Sequence, residues 1–357
     1  MRIKYLIAFF ALLISLVILS GCAGTADTDT VLRYKIEGDV KVWPEEPDVP
    51  RYKYIGELTG ENNIYNEGEG SVTRFFKWLV GLTSRDDQIV LQRPQSGFVD
   101  EARRRIYVTD ISRQAIFVFD EAAGELIIWD QAGVEGDIRF LAPIGIAPGD
   151  NGELFVADAE LGIVVRLDSK GKPISNFGKG ILKRPTGLAR DARHKRVFVS
   201  DTHAHNIKIF DDTGELIDVI GLRGDKSGEF NFPTFISYFK DQLYVTDSMN
   251  ARVQVFSQEG DFVSKFGKRS LNMGDFLRPK GITVDNEGHI YVVESYYDYL
   301  LVYNNSGEFL LPIGGSGSGT GQFYLPSGVW SDSRDRIYVA DMFNGRVVIF
   351  QYLGNPG

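Results

Sequence analysis

The sequence is poor in the residues that build covalent or metal-bound frameworks. It contains one cysteine and four histidines among 357 residues. A single cysteine excludes an intrachain disulfide, a zinc-ribbon site and a haem attached through a Cys-x-x-Cys-His motif. Proline is scarce as well, with 13 residues against 39 glycines. This balance favours many tight turns and an all-β protein.

Positive charge is also in the minority. The chain has 39 Lys and Arg against 48 Asp and Glu, which gives a formal net charge of -9. A nucleic-acid partner would require a basic face, so no nucleic acid is predicted as a partner. Disorder is excluded too, because 43% of the residues are hydrophobic and the 24 Phe and 16 Tyr can fill a large core.

The beginning of the chain contains a hydrophobic run that we do not expect to belong to the fold. Leu6 to Leu19 carries no charge over 14 residues and follows Arg2 and Lys4. A transmembrane helix needs about 20 apolar residues, whereas this length suits the hydrophobic region of a signal peptide. The next residues, 19–22 (LSGC), resemble the bacterial lipobox, in which the cysteine becomes the lipidated start of the mature chain.

That resemblance implies a lipoprotein. Residues 1–21 would be the signal peptide, and the lipidated Cys22 would hold the chain on a membrane of the bacterial cell envelope. Ala23 follows the cysteine in place of the aspartate that retains such lipoproteins at the inner membrane, so the resemblance implies the outer membrane. Residues 22–50 include a proline-rich and acidic stretch from Trp43 to Pro50 and are predicted to form a flexible tether.

Internal repeats organise the rest of the chain. A short apolar strand that ends in an acid recurs at intervals of 48, 43, 46, 47 and 47 residues. The six copies end at Asp110, Asp158, Asp201, Asp247, Glu294 and Asp341. A proline precedes each copy, at Pro94, Pro143, Pro185, Pro233, Pro279 and Pro326. Four strands per unit of about 46 residues predict a six-bladed β-propeller.

The sixth unit is one strand short, because the chain ends soon after its third strand. In other units the outer strand ends in an apolar residue and glycine, as in Phe266-Gly267. The same ending occurs in Ile55-Gly56, near the start of the mature chain. We therefore expect residues 51–58 to supply the outer strand of blade six, so that the propeller spans residues 51–357 and has no open sheet edge.

Two units resemble NHL repeats. The pattern Tyr-Val-x-Asp-x-x-Asn-x-Arg-Val occurs at Tyr244–Val253 and Tyr338–Val347, and the other four units depart from it. The resemblance implies an NHL-type propeller. We interpret the repeated acid as a turn residue that accepts backbone hydrogen bonds, since a catalyst would not need six copies.

Function is expected where the repeats differ, on the face that carries the loops between second and third strands and between blades. Blade five offers an aromatic cluster suited to sugars, peptides or protein surfaces. Blade three offers two histidines, and a nearby interblade loop offers an arginine. The candidate residues of this face are Tyr296, Tyr297, Asp298, Tyr299, His203, His205 and Arg223.

A metal site is the weaker interpretation of these residues. Amidating lyases, which are propellers of similar appearance, use histidines from several blades around zinc. Gluconolactonase-like propellers use carboxylate and Asn ligands in the central channel. No third histidine is expected near His203 and His205. We predict no catalytic residue, no metal ligand set and no cofactor, and leave a divalent metal in the channel as the open alternative.

Residues 59–93 interrupt the pattern between the closing strand and blade one. The segment contains Phe75, Phe76 and Trp78 with basic residues among them, and it is predicted to form a short apolar helix. Two interpretations stay open for it: packing over one end of the propeller, or contact with a partner or membrane.

The sequence as a whole predicts a lipid-anchored extracytoplasmic propeller. Its expected work is to bind envelope proteins or a surface polymer as a scaffold. A metal-dependent hydrolase or lyase at the central channel is one alternative, and a glycan-binding module built on Tyr296–Tyr299 is another.

Overall fold

The structure is a computed structural model that describes residues 30–34, 41–66, 88–134 and 136–354. Six antiparallel sheets carry the repeats and confirm an all-β, six-bladed propeller. Within a blade, consecutive strands pair as neighbours, from an innermost first strand to an outermost fourth strand. None of the helices in these residues is long and apolar enough to cross a membrane.

The strands of blades one to three follow the predicted repeat. Blade one consists of β5 (Pro94–Asp100), β6 (Arg105–Asp110), β7 (Ala115–Asp120) and β8 (Glu125–Trp129). Blade two consists of β9 (Pro143–Pro148), β10 (Leu154–Asp158), β11 (Ile163–Leu167) and β12 (Pro173–Phe177). Blade three consists of β13 (Pro185–Asp191), β14 (Arg196–Asp201), β15 (Asn206–Asp211) and β16 (Leu216–Ile220).

Blades four to six complete the ring. Blade four consists of β17 (Pro233–Phe239), β18 (Gln242–Asp247), β19 (Arg252–Ser257) and β20 (Phe262–Phe266). Blade five consists of β21 (Pro279–Val284), β22 (Ile290–Glu294), β23 (Tyr299–Tyr303) and β24 (Phe309–Gly314). Blade six contains β25 (Val329–Ser331), β26 (Arg336–Asp341) and β27 (Arg346–Tyr352).

The N-terminal residues add strands to blade six. β3 (Tyr52–Leu58) pairs antiparallel with β27, and β2 (Val42–Trp43) pairs with β3 at the outer edge. A separate two-stranded sheet joins β1 (Thr30–Leu32) to β4 (Ile64–Asn66). Trp43, within the stretch expected to form the tether, is buried with its ring 5.3 Å from that of Phe350. Its proline-rich neighbours predict extended backbone but do not reveal this aromatic contact.

Among the described residues, five short 3-10 helices lie in turns, at Glu61–Asn63, Asp150–Gly152, Thr202–Ala204, Ser248–Asn250 and Met342–Asn344. Three of them follow the repeated acid in blades three, four and six and are closed by a residue with positive φ, such as Ala251 at 53°. The expected helix around Phe75, Phe76 and Trp78 and the lipobox at Cys22 lie outside the described residues.

Neighbouring first strands approach closely around the channel. A Cβ atom on Gly281 would come within 2.6 Å of the Ser327 carbonyl oxygen, and one on Gly187 within 2.5 Å of that of Thr234. The Pro-x-Gly start of these strands therefore reflects close backbone contact. Blade four has Phe235 in place of this glycine, and its side chain lies among the residues that line the channel.

Candidate binding face

The repeated acid links two kinds of loop on one face, which we call the upper face. The upper face carries the loops between second and third strands and the interblade loops. The opposite face, which we call the lower face, carries the turns between first and second strands and between third and fourth strands. In blade one, Asp110 accepts backbone N–H bonds from Gln92 and Arg93 before the blade and from Ser112 and Arg113 after its second strand. The interpretation of this acid as a turn residue is confirmed, and each of the six copies is buried.

The NHL-like arginine strengthens this link in blade four. Nε of Arg252 donates to Oδ2 of Asp247 at 2.8 Å, and the guanidinium also donates to the carbonyls of Asp225, Lys226 and Glu229. Both side chains of the pair are buried, and burial raises the pKa of Asp247 against the opposing effect of its hydrogen bonds. The motif therefore fixes the interblade loop that precedes blade four.

The two histidines of blade three do not form a ligand pair. They lie on a 3-10 turn and the residue after it rather than on a strand, with His203 exposed and His205 buried. The Phe232 N–H donates to Nδ1 of His205 at 3.2 Å, and the two rings lie 4.4 Å apart. Burial, with the charge of Arg223 nearby, lowers the pKa of His205 and favours the neutral ring.

The aromatic cluster of blade five is split between surface and interior. Tyr296 and Tyr297 are exposed, with their rings edge to face at 5.0 Å. Asp298 is buried, because at φ 60° its carboxylate turns back to accept bonds from the Leu325 N–H and the Ser316 hydroxyl. Asp298 therefore holds two upper-face segments together from below the surface, and its assignment to the binding face stays a prediction. Tyr299 begins the third strand and is half-buried.

A cleft beside these tyrosines is completed by residues that the sequence patterns do not single out. It has a volume of about 280 Å³ and lies between Tyr297, Tyr299, Leu271 and Met273. Leu271 and Met273 belong to the interblade loop between blades four and five and are 76% and 51% exposed. In the sequence, Leu271 and Met273 stand out as apolar residues in a loop, outside any strand of the repeat.

Exposed apolar side chains are concentrated on the upper face. Thirteen of the twenty-three large apolar residues that are exposed in the described chain lie in its loops, seven lie on outer strands, and Val49 and Leu353 lie at the lower end of blade six. The thirteen are Ile89, Val134, Ile138, Leu141, Ile181, Leu222, Met249, Leu271, Met273, Tyr296, Tyr297, Tyr324 and Phe343. Such concentration of apolar surface is typical of interaction sites.

Known proteins agree with this architecture. A family described as a 6-bladed beta-propeller matches residues 233–296 and 286–355. The chain has the fold of a six-bladed propeller. No curated protein matches the sequence.

Solved structures of other propellers show the same fold at low sequence identity. A protein of unknown function from Bacteroides thetaiotaomicron is 11% identical, with a TM-score of 0.59 and 92% of each chain covered. A gluconolactonase from Xanthomonas campestris is 13% identical, with a TM-score of 0.55 over 90% of this chain and 99% of that one. Virginiamycin B lyase from Staphylococcus aureus is 16% identical, with a TM-score of 0.54 over 73% and 96%.

The central channel of this propeller forms a chamber of about 220 Å³. Its lining comes from the first strands of all six blades and includes hydroxyl groups, aromatic rings and Arg190, but no carboxylate or imidazole among the described residues. Arg190 is paired with Asp212 and Asp150. Throughout the described chain, no group of three or more His, Cys, Asp or Glu is arranged to hold a metal ion.

The upper end of the channel holds a lysine that sequence reasoning missed. Lys280 follows the first proline of blade five, where other blades have residues such as Gln95, Thr234 or Ser327. It forms no hydrogen bond or ion pair within the described chain, and burial, helped by Arg278, lowers its pKa to about 8. The sequence does distinguish this position, because Lys280 is the charged residue among the six that directly follow the opening prolines of the blades.

Proposed function

We propose that this protein is a lipid-anchored, NHL-type propeller that acts as a protein-binding scaffold in the bacterial cell envelope. The concentration of exposed apolar side chains on the upper face carries the proposal. Large exposed apolar groups are rarely retained on a monomer surface without a partner, and here they occupy loops that a rigid ring presents together. The cleft between Tyr297 and Leu271 is the centre of the proposed contact.

The cleft itself is lined by Asp275 and Glu294, whereas basic residues predominate in the interblade loops of this side of the upper face. The three interblade loops that lead into blades three, four and five, at 178–184, 221–232 and 267–278, contain eight basic and three acidic residues. This local excess contrasts with the net charge of -9 for the whole chain. The partner is therefore a protein surface with an apolar side chain for the cleft and acidic residues around it.

Paired substitutions test this contact. Met273→Ser and Tyr297→Ser are expected to abolish recovery of a crosslinked envelope protein while leaving the melting temperature unchanged, since both side chains are exposed. Phe262→Ser and Val263→Ser are the matched controls, because these exposed apolar residues lie on the outer strand of blade four. Equal loss of the partner in the control variants would contradict the proposal.

The lipid anchor is the second element of the proposal. It rests on the lipobox at residues 19–22 and on the signal-peptide character of residues 1–21. Replacement of Cys22 by Ser is expected to move the protein from the membrane fraction to the soluble fraction and to abolish incorporation of labelled fatty acid. Retention of the variant in the outer membrane would contradict anchoring through Cys22.

Closure of the ring by the N-terminal strand belongs to the same proposal. Residues 51–58 would seal the edge of blade six, and Tyr52, Tyr54 and Leu58 in that stretch are buried. Deletion of residues 23–58 is expected to broaden and lower the thermal transition. A variant without them that melts as cooperatively and as high as the full mature protein would refute this role.

The segment with Phe75, Phe76 and Trp78 is proposed as an additional partner contact. Phe76→Ser with Trp78→Ser is expected to reduce partner recovery at unchanged thermal stability. A fall in melting temperature would instead assign the segment to packing over the propeller.

An enzyme at the central channel is less well supported than binding. Lyases and lactonases share the fold, but fold alone does not carry an activity. Glycan binding through the tyrosines is tested separately by Tyr297→Ala on a polysaccharide column. Loss of specific retention in that variant, without loss of the crosslinked protein, would favour the glycan over the protein partner.

A further inference from the structure

The upper end of the channel is surrounded by the six residues that directly follow the opening prolines of the blades. We call them the mouth ring, and they are Gln95, Ile144, Thr186, Thr234, Lys280 and Ser327. The Ser327 hydroxyl donates to Oε1 of Gln95 at 3.1 Å. The Thr186 hydroxyl donates to the Thr234 carbonyl oxygen at 2.8 Å, and the Thr234 hydroxyl is bonded within its own blade. Lys280 is the polar member of the ring whose side chain has no such bond in the described chain.

The backbone on both sides of Lys280 is fixed by neighbouring blades. The Ser248 hydroxyl of blade four donates to the Pro279 carbonyl oxygen at 2.6 Å. The Gly281 N–H donates to the Ser327 carbonyl oxygen of blade six at 2.9 Å. The main chain of Lys280 is therefore held in one place at the channel mouth, which reduces the conformational freedom that binding would have to remove.

The positive charge at the mouth is not balanced by an acid of the described chain. Lys280 is half-buried, and the charge that acts on it is that of Arg278, which is exposed and forms no ion pair among these residues. Glu294, the repeated acid of the same blade, interacts with Arg278. Its buried carboxylate is already occupied, because it accepts the backbone N–H groups of Leu277, Arg278 and Tyr296.

An unpaired lysine in this position constrains the chemistry of whatever covers it. A partner that removed the remaining water from the ammonium without supplying an opposite charge would lose binding free energy. A carboxylate placed against the ammonium would instead gain a charge-assisted hydrogen bond. One partner can reach both the mouth and the cleft, since Lys280 begins the first strand of blade five and Tyr297 follows the second strand of the same blade.

We propose that the channel mouth is a subsite for a carboxylate side chain of the protein partner, with Lys280 as the ion-pair donor and Arg278 as the second cation. The inference rests on the proposed function, and it adds the acidic group that the partner must place over the channel. A single carboxylate matches the site, because one ammonium is half-buried there and the other members of the mouth ring are neutral.

A titration without the partner tests the subsite on the full mature protein. The probes are N-acetylglutamate α-amide, which has one side-chain carboxylate, its neutral isostere N-acetylglutamine α-amide, and inorganic phosphate. NMR of labelled lysine side chains is expected to show millimolar binding of the glutamate probe at Lys280 and none of the glutamine probe. Burial and Arg278 lower the pKa of Lys280 to about 8, so binding is expected to weaken from pH 7 to pH 10 as the ammonium loses its proton.

Variants localise the binding. Lys280→Met is expected to weaken binding of the glutamate probe about tenfold or more, because hydrogen bonds to charged groups are the stronger ones. Lys280→Arg keeps the charge and should retain binding, which keeps the test valid if the methionine variant fails to fold. Lys226→Met, at an exposed lysine of an interblade loop, is the matched control and should have no effect.

Three results would overturn the proposal: equal binding of the glutamine probe, unchanged binding in Lys280→Met, or tighter binding of phosphate than of the glutamate probe. Because the titration uses no partner, failure of the carboxylate subsite is distinguishable from failure of the protein-binding face. That face is tested by crosslinking, in which Lys280→Met is expected to reduce recovery of the partner and Lys280→Arg to retain it.

Discussion

The two faces of the propeller differ although the same repeat builds both. Most lower-face turns are polar, and some of their acids hold their own turn, as when Asp211 accepts the N–H groups of Thr213 and Glu215. Upper-face acids such as Asp247 bridge separate loops and are buried. The upper loops also expose thirteen large apolar residues, whereas two such residues, Val49 and Leu353, are exposed at the lower end among the described residues. Rigid support beneath an apolar surface is what a binding face requires.

The largest expected effect compares the acids of the two faces. Asp247→Ala should lower the free energy of unfolding by about 3–5 kcal/mol, because it leaves the buried Arg252 without its carboxylate. Asp211→Ala should cost only about 1 kcal/mol, since it removes hydrogen bonds within one partly exposed turn. Urea unfolding measures both, and similar losses would show that the faces are built alike.

A second comparison sets Lys280 against Arg190, two cationic residues in first strands around the channel. Lys280→Met should raise the free energy of unfolding at pH 7 by about 1–3 kcal/mol, because Lys280 has no partner to compensate its burial. The gain should shrink as the pH rises from 8 toward 10 and the lysine becomes neutral. Arg190→Met should be destabilising instead, since it leaves Asp212 without its partner.

Urea unfolding of these two variants between pH 7 and pH 10 provides the measurement. A destabilised Lys280→Met would indicate that the lysine is a structural residue, and the contrast with Arg190 would then disappear. If Lys280→Met is more stable but no longer binds the partner, the binding face includes the mouth of the channel. A residue that lowers the free energy of unfolding would then be retained there for function.

The smallest expected effect is an opposite pH dependence of two histidines. On the upper face the pKa of His205 is lowered, so its contribution is present above the unfolded value of about 6.5 and is lost as the pH falls. On the lower face the pKa of His289 is raised, so its contribution is present below that value and is lost as the pH rises through the folded pKa.

Unfolding at pH 5.5 and pH 8.5 separates the two histidines. His205→Asn should reduce the loss of stability between pH 8.5 and pH 5.5. Asparagine is chosen because it tolerates the positive φ at this position. His289→Gln should reduce stability at pH 5.5 and leave it nearly unchanged at pH 8.5. Changes of the same sign would contradict the assigned environments.

The fold is predictable from the sequence because the repeat fixes strand length, turn position and strand order together. The role of the acid is predictable too, since a group present in every blade serves the blade. The burial and contacts of individual side chains are less predictable. His205 and Asp298 are predicted as loop residues from the sequence, yet positive φ turns both side chains inward. Trp43 lies in a proline-rich stretch whose contact with Phe350 spans about 300 residues of sequence.

Sites assembled from distant segments are beyond single-sequence reasoning. The cleft at Tyr297 depends on Leu271 and Met273, which belong to an interblade loop with no repeat pattern. A cavity of about 440 Å³ between the N-terminal segment and blade five likewise brings Arg51 and His289 together across most of the chain. The repeats therefore predict the propeller, whereas the binding surfaces are formed by residues outside the repeat pattern that come together only on folding.

Crosslinking from both faces in intact cells tests the central claim most directly. A photoreactive residue would replace Leu271 or Tyr297 on the upper face, and Glu259 or Asn305 in the exposed turns of the lower face. We predict one discrete protein adduct from both upper positions, which Met273→Ser removes, and none from the lower positions. The same adduct from the lower positions, or one that survives Met273→Ser, would contradict the assignment of the upper face as the binding face.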